Sequence, residues 1–152
     1  MGTEDKWPLD VLLAEDTDTD AELFQMAIAQ IGDVRSLHVV RDGEELIQYL
    51  LGEPPFNHKP PDIIFLDLKM PKLNGFDVLK WLKKHPQCSV IPTIMLSNSW
   101  FEQDIQRAYE LGVNAFFSKP LIFNQLIHVL KVTFEFWSLT ERPQVVELCR
   151  KR

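Results

Sequence analysis

The chain has 152 residues and a formal net charge of −6, with 45% hydrophobic and 25% charged residues. This length and composition are typical of one globular domain with a sizeable core. The negative charge argues against binding of nucleic acid through its phosphates. Cys88 and Cys149 have no metal or redox spacing, which predicts free thiols. Residues 1–6 lack the apolar run of a signal peptide and no run is long enough to span a membrane, so we expect a cytoplasmic protein without a membrane partner.

Short apolar runs with β-branched residues recur along the chain and are typical of strands buried in a parallel sheet. A stripe of apolar residues at helical spacing follows each run. The predicted strands are 11–14, 37–40, 63–66, 90–96 (with Pro92 at its start or at a bulge) and 114–118, and the helical stripes lie within 23–31, 46–51, 76–82, 101–109 and 123–137. This alternation predicts an α/β fold: a doubly wound, five-stranded parallel sheet of the flavodoxin-like class, with helices on both faces.

Helix ends are predicted from capping residues. A Ser or Thr followed three residues later by Glu has the spacing of a capping box. Glycine is common just past a helix end because it adopts positive φ without strain. The predicted starts are Thr19 with Glu22, Asp42 with Glu45, and Ser99 with Glu102, and the predicted ends are Gly32, Gly52, His85-Pro86 and Gly112.

Proline divides the chain outside these elements. Residues 52–61 contain four prolines, which exclude helix and strand and predict a long surface connection. We expect an N-terminal leader at 1–8, one domain at 9–138, and a tail at 139–152 in which Pro143 allows at most a short separate helix at 144–150. Because the tail is too short for an output domain, a signal is expected to leave by contact with another protein.

Chemically useful side chains follow four of the predicted strands. Glu15-Asp16 follow the first, Asp67 the third, Ser97 the fourth and Lys119-Pro120 the fifth. Ligands of open parallel sheets bind outside the carboxyl ends of the strands, so three acids, a hydroxyl and an amine are expected to converge there. Taken alone, Asp67 has an alternative interpretation as an ordinary acid that caps a turn.

In this order and spacing, the residues resemble the response-regulator receiver domains of two-component signalling. The resemblance covers residues 9–137 and includes the loop motif Asp67-x-x-Met70-Pro71-x-x-Asn74-Gly75. It implies the strand order 2-1-3-4-5. It also implies a phosphoacceptor signalling protein rather than an enzyme in the usual sense, one that assists its own phosphorylation and dephosphorylation.

The resemblance assigns a role to each residue of the acidic edge. Asp67 is the expected phosphoacceptor, which takes a phosphoryl group from a histidine of a sensor kinase. Crowded acids attract a hard divalent cation, and Mg²⁺ (or Mn²⁺) is the expected cofactor. Asp16 and Asp67 are the implied direct ligands, Glu15 binds through water, and the backbone carbonyl of Lys69 completes the protein ligands.

The remaining roles concern the phosphoryl group and the switch that it operates. Lys119 and Ser97 are expected to contact phosphoryl oxygens, and the Lys119-Pro120 peptide bond is expected to be cis. Added charge is expected to draw Ser97 inward and to let Phe116 rotate. This rotation would remodel the face formed by the fourth predicted helix, the fifth strand and the fifth predicted helix.

Two features suggest partners. The proline-rich loop and the aromatic segment 134–137 are similar to single-domain, cyanobacterial regulators that serve phytochrome-type kinases. Phe134 and Phe136 point in different directions from the last helix, which is more apolar surface than one face buries. We therefore predict a homodimer through the switching face, with extra core packing by the tail as the alternative; the downstream partner is unknown.

Departures from the family pattern leave alternatives open. Glu15 stands where Asp is commoner, Asn98 follows Ser97 where a small residue is usual, and Lys69 is placed to alter the lifetime of the phosphoryl group in either direction. One alternative is a pseudo-receiver, a binding module that is never phosphorylated. A haloacid dehalogenase-like phosphatase, suggested by Asp16-Thr17-Asp18, is disfavoured because the acidic pair expected downstream of its lysine is missing.

Overall fold

A computed structural model of the protein describes residues 8–56 and 59–143. Its strands are β1 (Leu9–Ala14), β2 (Val34–Val40), β3 (Ile63–Leu66), β4 (Thr93–Ser97) and β5 (Ala115–Ser118). Its helices are α1 (Asp18–Ile28), α2 (Gly43–Leu51), α3 (Gly75–Lys83), α4 (Pro86–Ser89), α5 (Glu102–Glu110) and α6 (Phe123–Ser138). The helix predicted at 144–150 and Cys149 lie outside the described residues. Within them, no helix combines the length and hydrophobicity needed to cross a bilayer.

The five strands form one parallel sheet in the order β2-β1-β3-β4-β5. This confirms the predicted doubly wound fold and its strand order. Along β3, all four residues are buried and alternate between two hydrophobic clusters, one on each face of the sheet. Phe65, for example, packs between Phe24 of α1 and Phe134 of α6, with ring centroids 5.2 Å and 5.4 Å away. A central strand covered on both sides explains why its sequence is continuously apolar.

Two predicted capping boxes are wrong. α1 begins two residues earlier than Thr19 suggests, with Thr17 at the N-cap, and the backbone N–H of Thr17 donates to the Glu15 side chain at 3.3 Å. α5 begins after Phe101, not Ser99. The Ser99 hydroxyl accepts from the N–H of Phe101 at 3.3 Å and donates to Asp104 at 2.6 Å, so it orders the loop before the helix.

Other helix ends follow their predicted chemistry, except that α1 ends at Ile28 with Ala29 as its C-cap, before the predicted end at Gly32. Asp42 is the N-cap of α2 and accepts the N–H of Glu45 at 2.8 Å. Gly52 ends that helix with φ 68°, the left-handed conformation that favours glycine. Asn74 and Asp77 form a capping box at the start of α3, which the sequence analysis assigned only to a loop. The predicted fourth and fifth helices correspond to α5 and α6, because α4 adds a short helix after α3.

Candidate active site

The carboxylates of Glu15, Asp16 and Asp67 meet at the carboxyl edge of the sheet. One oxygen from each lies within 4.8 Å of the others. Glu15 and Asp67 are buried, whereas Asp16 is exposed. We call these three residues the acidic cluster. Carboxylate oxygens are the donors that hard divalent cations prefer, so the donor set suits Mg²⁺ or Mn²⁺.

Lys119 closes one side of the acidic cluster. Its Nζ donates to Glu15 Oε1 at 2.6 Å, to Asp20 Oδ2 at 2.8 Å and to Asp67 Oδ2 at 3.1 Å. Only 12% of the Lys119 side chain is exposed. A lysine ammonium has three donor hydrogens, and three carboxylates accept here.

Backbone hydrogen bonds fix these side chains just beyond the ends of their strands. The N–H of Glu15 donates to the carbonyl of Val40 at 2.9 Å, and the N–H of Asp67 donates to that of Ala14 at 3.1 Å. In the same way, the Lys119 N–H donates to the Ser97 carbonyl at 2.7 Å. The sheet pairing thus continues one residue past β1, β3 and β5, which holds each functional residue rigidly at one edge.

Burial and contacts between charged groups oppose each other in this site. It disfavours the charged form of Glu15 and, with the nearby charge of Asp67, raises the pKa of Glu15 to about 7 despite the opposing contact with Lys119. Burial also opposes the charge of Lys119, but hydrogen bonds from its ammonium to Asp20 and Glu15 outweigh this effect and raise the pKa of Lys119. The lysine is therefore a permanent cation among crowded acids.

The other residues singled out in the sequence lie around this centre. Ser97 is buried at the end of β4, and its hydroxyl accepts the N–H of Ser99 at 3.2 Å. Lys69 is exposed and lines a 610 Å³ cavity together with Asp16. Phe116 is half-buried in β5, where its N–H donates to the Tyr109 hydroxyl at 3.1 Å. Their assigned roles stay predictions.

The prediction of a cis peptide bond at Lys119-Pro120 is wrong. Among the described residues, the cis bond lies at Pro54-Pro55 instead. The trans form is the lower-energy form of most bonds to proline. Lys119 reaches Asp67 at 3.1 Å from this trans backbone, so no cis turn is needed to direct its amine to the site.

Sequence analysis missed one site residue, Asp20. The sequence analysis gives it no role, but its carboxylate contacts Lys119 at 2.8 Å. The available signal was its position: Asp20 lies in the first turn of α1, directly after the strand that delivers the Glu15-Asp16 pair. A first turn at this edge of the sheet necessarily lies close to the strand ends.

Gly75 permits a close approach to the backbone of Asp67. A Cβ added to Gly75 would lie 2.6 Å from the Asp67 carbonyl oxygen and 2.9 Å from the Leu68 Cα. Gly75→Ala is therefore expected to lower the free energy of unfolding by about 2 kcal/mol and to displace Asp67. Urea unfolding measures the first effect.

Gly32→Ala is the matched control, because a Cβ there meets no atom within 4 Å. Its unfolding free energy is expected to stay within about 0.5 kcal/mol of wild type. Equal stability of the two variants would contradict the steric role of Gly75.

A doubly wound sheet whose carboxyl edge gathers three acids and a lysine defines the receiver domain of two-component response regulators. The family model of the response regulator receiver domain matches residues 11–131, and the chain belongs to this family. It is 32% identical over 130 residues to the probable methanogenesis regulatory protein FilR2 of Methanothrix harundinacea, covering 86% of this chain and 84% of that protein.

The chain is also similar to two other response regulators, Rcp1 and the phytochrome response regulator RcpA. The chain is 31% identical over 138 residues to response regulator Rcp1 of Synechocystis sp., covering 90% of this chain and 94% of that protein. It superimposes on the phosphorylated cyanobacterial phytochrome response regulator RcpA with a TM-score of 0.83 and 37% identity, covering 90% and 99% of the two chains. For the Mn²⁺-bound form of Rcp1, the TM-score is 0.80 with 30% identity, at coverages of 90% and 99%.

Proposed function

We propose that the protein takes a phosphoryl group from a phosphohistidine of a sensor kinase onto Asp67, in a reaction that requires Mg²⁺. The observation that carries this proposal is the contact of Lys119 Nζ with Asp67 Oδ2 at 3.1 Å, beside the acidic cluster. The phosphorylated state of the similar regulator RcpA supports it.

In the proposed reaction, an Asp67 carboxylate oxygen forms a bond to phosphorus while the phosphorus–nitrogen bond of phosphohistidine breaks. The electron pair leaves with the imidazole nitrogen, which takes up a proton from solvent. Such transfers depend mainly on alignment and on neutralising negative charge. Lys119 supplies a fixed positive charge for a phosphoryl oxygen, and Ser97 is proposed to donate a hydrogen bond to another.

The acidic cluster is the proposed metal site. Asp16 and Asp67 would bind directly, Glu15 through water, and the Lys69 backbone carbonyl would complete the protein ligands. Glu15 is held for this purpose from both sides, since its Oε1 accepts from Lys119 and its Oε2 from the N–H of Thr17. When bound, Mg²⁺ supplies positive charge that offsets the charge shared by Asp67 and the phosphoryl oxygens. The Mn²⁺-bound form of Rcp1 supports a divalent cation.

A phytochrome-type histidine kinase is the proposed donor. RcpA is described as a cyanobacterial phytochrome response regulator, and its chain aligns with 90% of this one. Phosphorylation is further proposed to operate a switch formed by Phe116 and Ser97. Phosphotransfer from a purified kinase of this class, followed with radiolabelled phosphate, is the direct test of the donor.

The α5-β5-α6 face is the proposed contact with a downstream protein or with a second copy of the chain. Val132 and Phe136 on α6 and Leu139 at its C-cap are exposed and share one side of the helix, whereas Phe134 is fully buried. Phe134 therefore packs in the core, and Phe136 belongs to the surface.

Phe136→Glu is expected to keep the protein monomeric under conditions where wild type dimerises, because it places a charge in an apolar interface. Analytical ultracentrifugation with a bound phosphate mimic measures the effect, and Lys131→Glu, at an exposed polar position of the same helix, is the control. Wild type that sediments only as a monomer would contradict the proposed dimer.

Phosphorylation by acetyl phosphate in the presence of Mg²⁺ tests the central proposal. Intact-mass spectrometry should show wild type gaining the mass of one phosphoryl group. A protein whose mass does not change would instead support the pseudo-receiver alternative, in which the same fold binds a partner without being phosphorylated.

A further inference from the structure

Lys119 is held by three acids that differ in their relation to the acidic cluster. Glu15 and Asp67 belong to it, whereas Asp20 does not. Asp20 lies in the first turn of α1, with a third of its side chain exposed, and its Oδ2 is 2.8 Å from the Lys119 Nζ. This distance is shorter than that from Lys119 to Asp67, 3.1 Å.

In the proposed function, metal binding and phosphorylation both change the contacts of Lys119 with Glu15 and Asp67. A cation bound directly to Asp67, and through water to Glu15, would weaken the contacts of both carboxylates with the ammonium and repel it, because both positive charges compete for the same acids. Phosphorylation then converts an Asp67 oxygen into the bridging oxygen of an acyl phosphate. Asp20 is the acid in contact with Lys119 that neither event changes.

Without a hydrogen-bond acceptor, the Lys119 ammonium would not stay in position beside the reacting atoms. The lysine stem has several rotatable bonds, and ordering it costs conformational entropy. The Lys119 stem is nevertheless largely buried, with 12% of its side chain exposed. A fixed acceptor on the α1 side keeps the ammonium beside the reacting atoms while its other contacts exchange.

Stabilisation of the α1 N-terminus is the simpler role for an acid in this position. Asp18 occupies the same first turn, and its side chain, 85% exposed, pairs with Arg41 rather than with Lys119. Asp18 therefore shares any effect on the helix dipole but not the contact with the lysine. This makes Asp18→Ala a matched control for Asp20→Ala.

We propose that Asp20 is a positioning residue, which keeps the Lys119 ammonium at the acidic cluster when a divalent cation and a phosphoryl group occupy it. This proposal rests on the proposed function. It assigns Asp20 no contact with the phosphoryl group itself.

The test follows the Lys119 ammonium by nitrogen–proton NMR in lysine-labelled protein. With Mg²⁺ alone, its resonance should persist in wild type, Asp18→Ala and Asp20→Glu, and disappear through solvent exchange in Asp20→Ala. In the metal-free state all four proteins should show it, because Glu15 and Asp67 still accept. A resonance that survives Mg²⁺ in Asp20→Ala, or that vanishes in wild type, would overturn the proposal.

Phosphorylation gives the second readout. The initial rate with acetyl phosphate and Mg²⁺ should fall about tenfold in Asp20→Ala, the scale of one lost charged hydrogen bond. It should recover largely in Asp20→Glu and stay at the wild-type value in Asp18→Ala. A wild-type rate in Asp20→Ala counts against the proposal. If wild type itself forms no adduct, the proposed function fails, and the NMR comparison with Mg²⁺ still decides the role of Asp20.

Discussion

Asp67→Asn is expected to abolish the phosphoryl adduct that wild type forms with acetyl phosphate and Mg²⁺. An amide oxygen is a poor nucleophile, and the substitution also removes one charge from the acidic cluster. Intact-mass spectrometry should therefore show a phosphoryl group on wild type and none on the variant. This is the largest change expected in the protein, because the substitution removes the proposed nucleophile itself.

The fold should survive this substitution. Asn has nearly the shape of Asp, and its amide oxygen can still accept from Lys119, which also keeps its contacts with Glu15 and Asp20. Removing one of several crowded negative charges is expected to raise the free energy of unfolding by about 1 kcal/mol in metal-free solution. Asp18→Asn, an exposed acid at the same edge, should still form the adduct. An adduct that survives Asp67→Asn would place the phosphoacceptor elsewhere.

The position of this centre could be predicted because strand ends are defined by local sequence. A buried parallel strand is a short apolar run, so the residue that follows it lies at the carboxyl edge whatever the details of packing. Glu15, Asp67 and Lys119 each follow such a run, and the structure brings them together. Topology alone provides this proximity.

Competition between partners could not be predicted in the same way. Thr19 has the capping-box spacing, yet Thr17 is the N-cap of α1, and the Glu15 side chain accepts its N–H. Asp20 is likewise free of a capping role and binds Lys119, which lies 99 residues away in the sequence. These hydrogen-bond partners depend on distances between separate helices and strands, which cannot be read from the spacing of residues along the chain.

Lys119→Met is expected to destabilise the metal-free protein by about 2–3 kcal/mol, somewhat less than the full cost of breaking a buried ion pair. Glu15, Asp67 and Asp20 would all lose the ammonium that pairs with them. Glu15 would be affected most, because only 4% of its side chain is exposed. Urea unfolding in the presence of a chelator measures this loss. Lys72→Met is the control. Lys72 is exposed and its ammonium lies 3.7 Å from Asp42, and ion pairs at the protein surface contribute little to stability.

Lys119→Met should strengthen Mg²⁺ binding, although it weakens the stability of the metal-free protein. The ammonium and the cation compete for Glu15 and Asp67, so its removal is expected to tighten Mg²⁺ binding by about tenfold, as measured by calorimetry. Phosphorylation should nevertheless become much slower, because the positive charge that meets a phosphoryl oxygen is gone. Tighter metal binding with slower phosphorylation separates the two roles of the lysine: it holds the acids together before the cation arrives, and it stabilises the phosphoryl group afterwards. Unchanged or weaker Mg²⁺ binding in Lys119→Met would show that the lysine and the cation do not share these carboxylates.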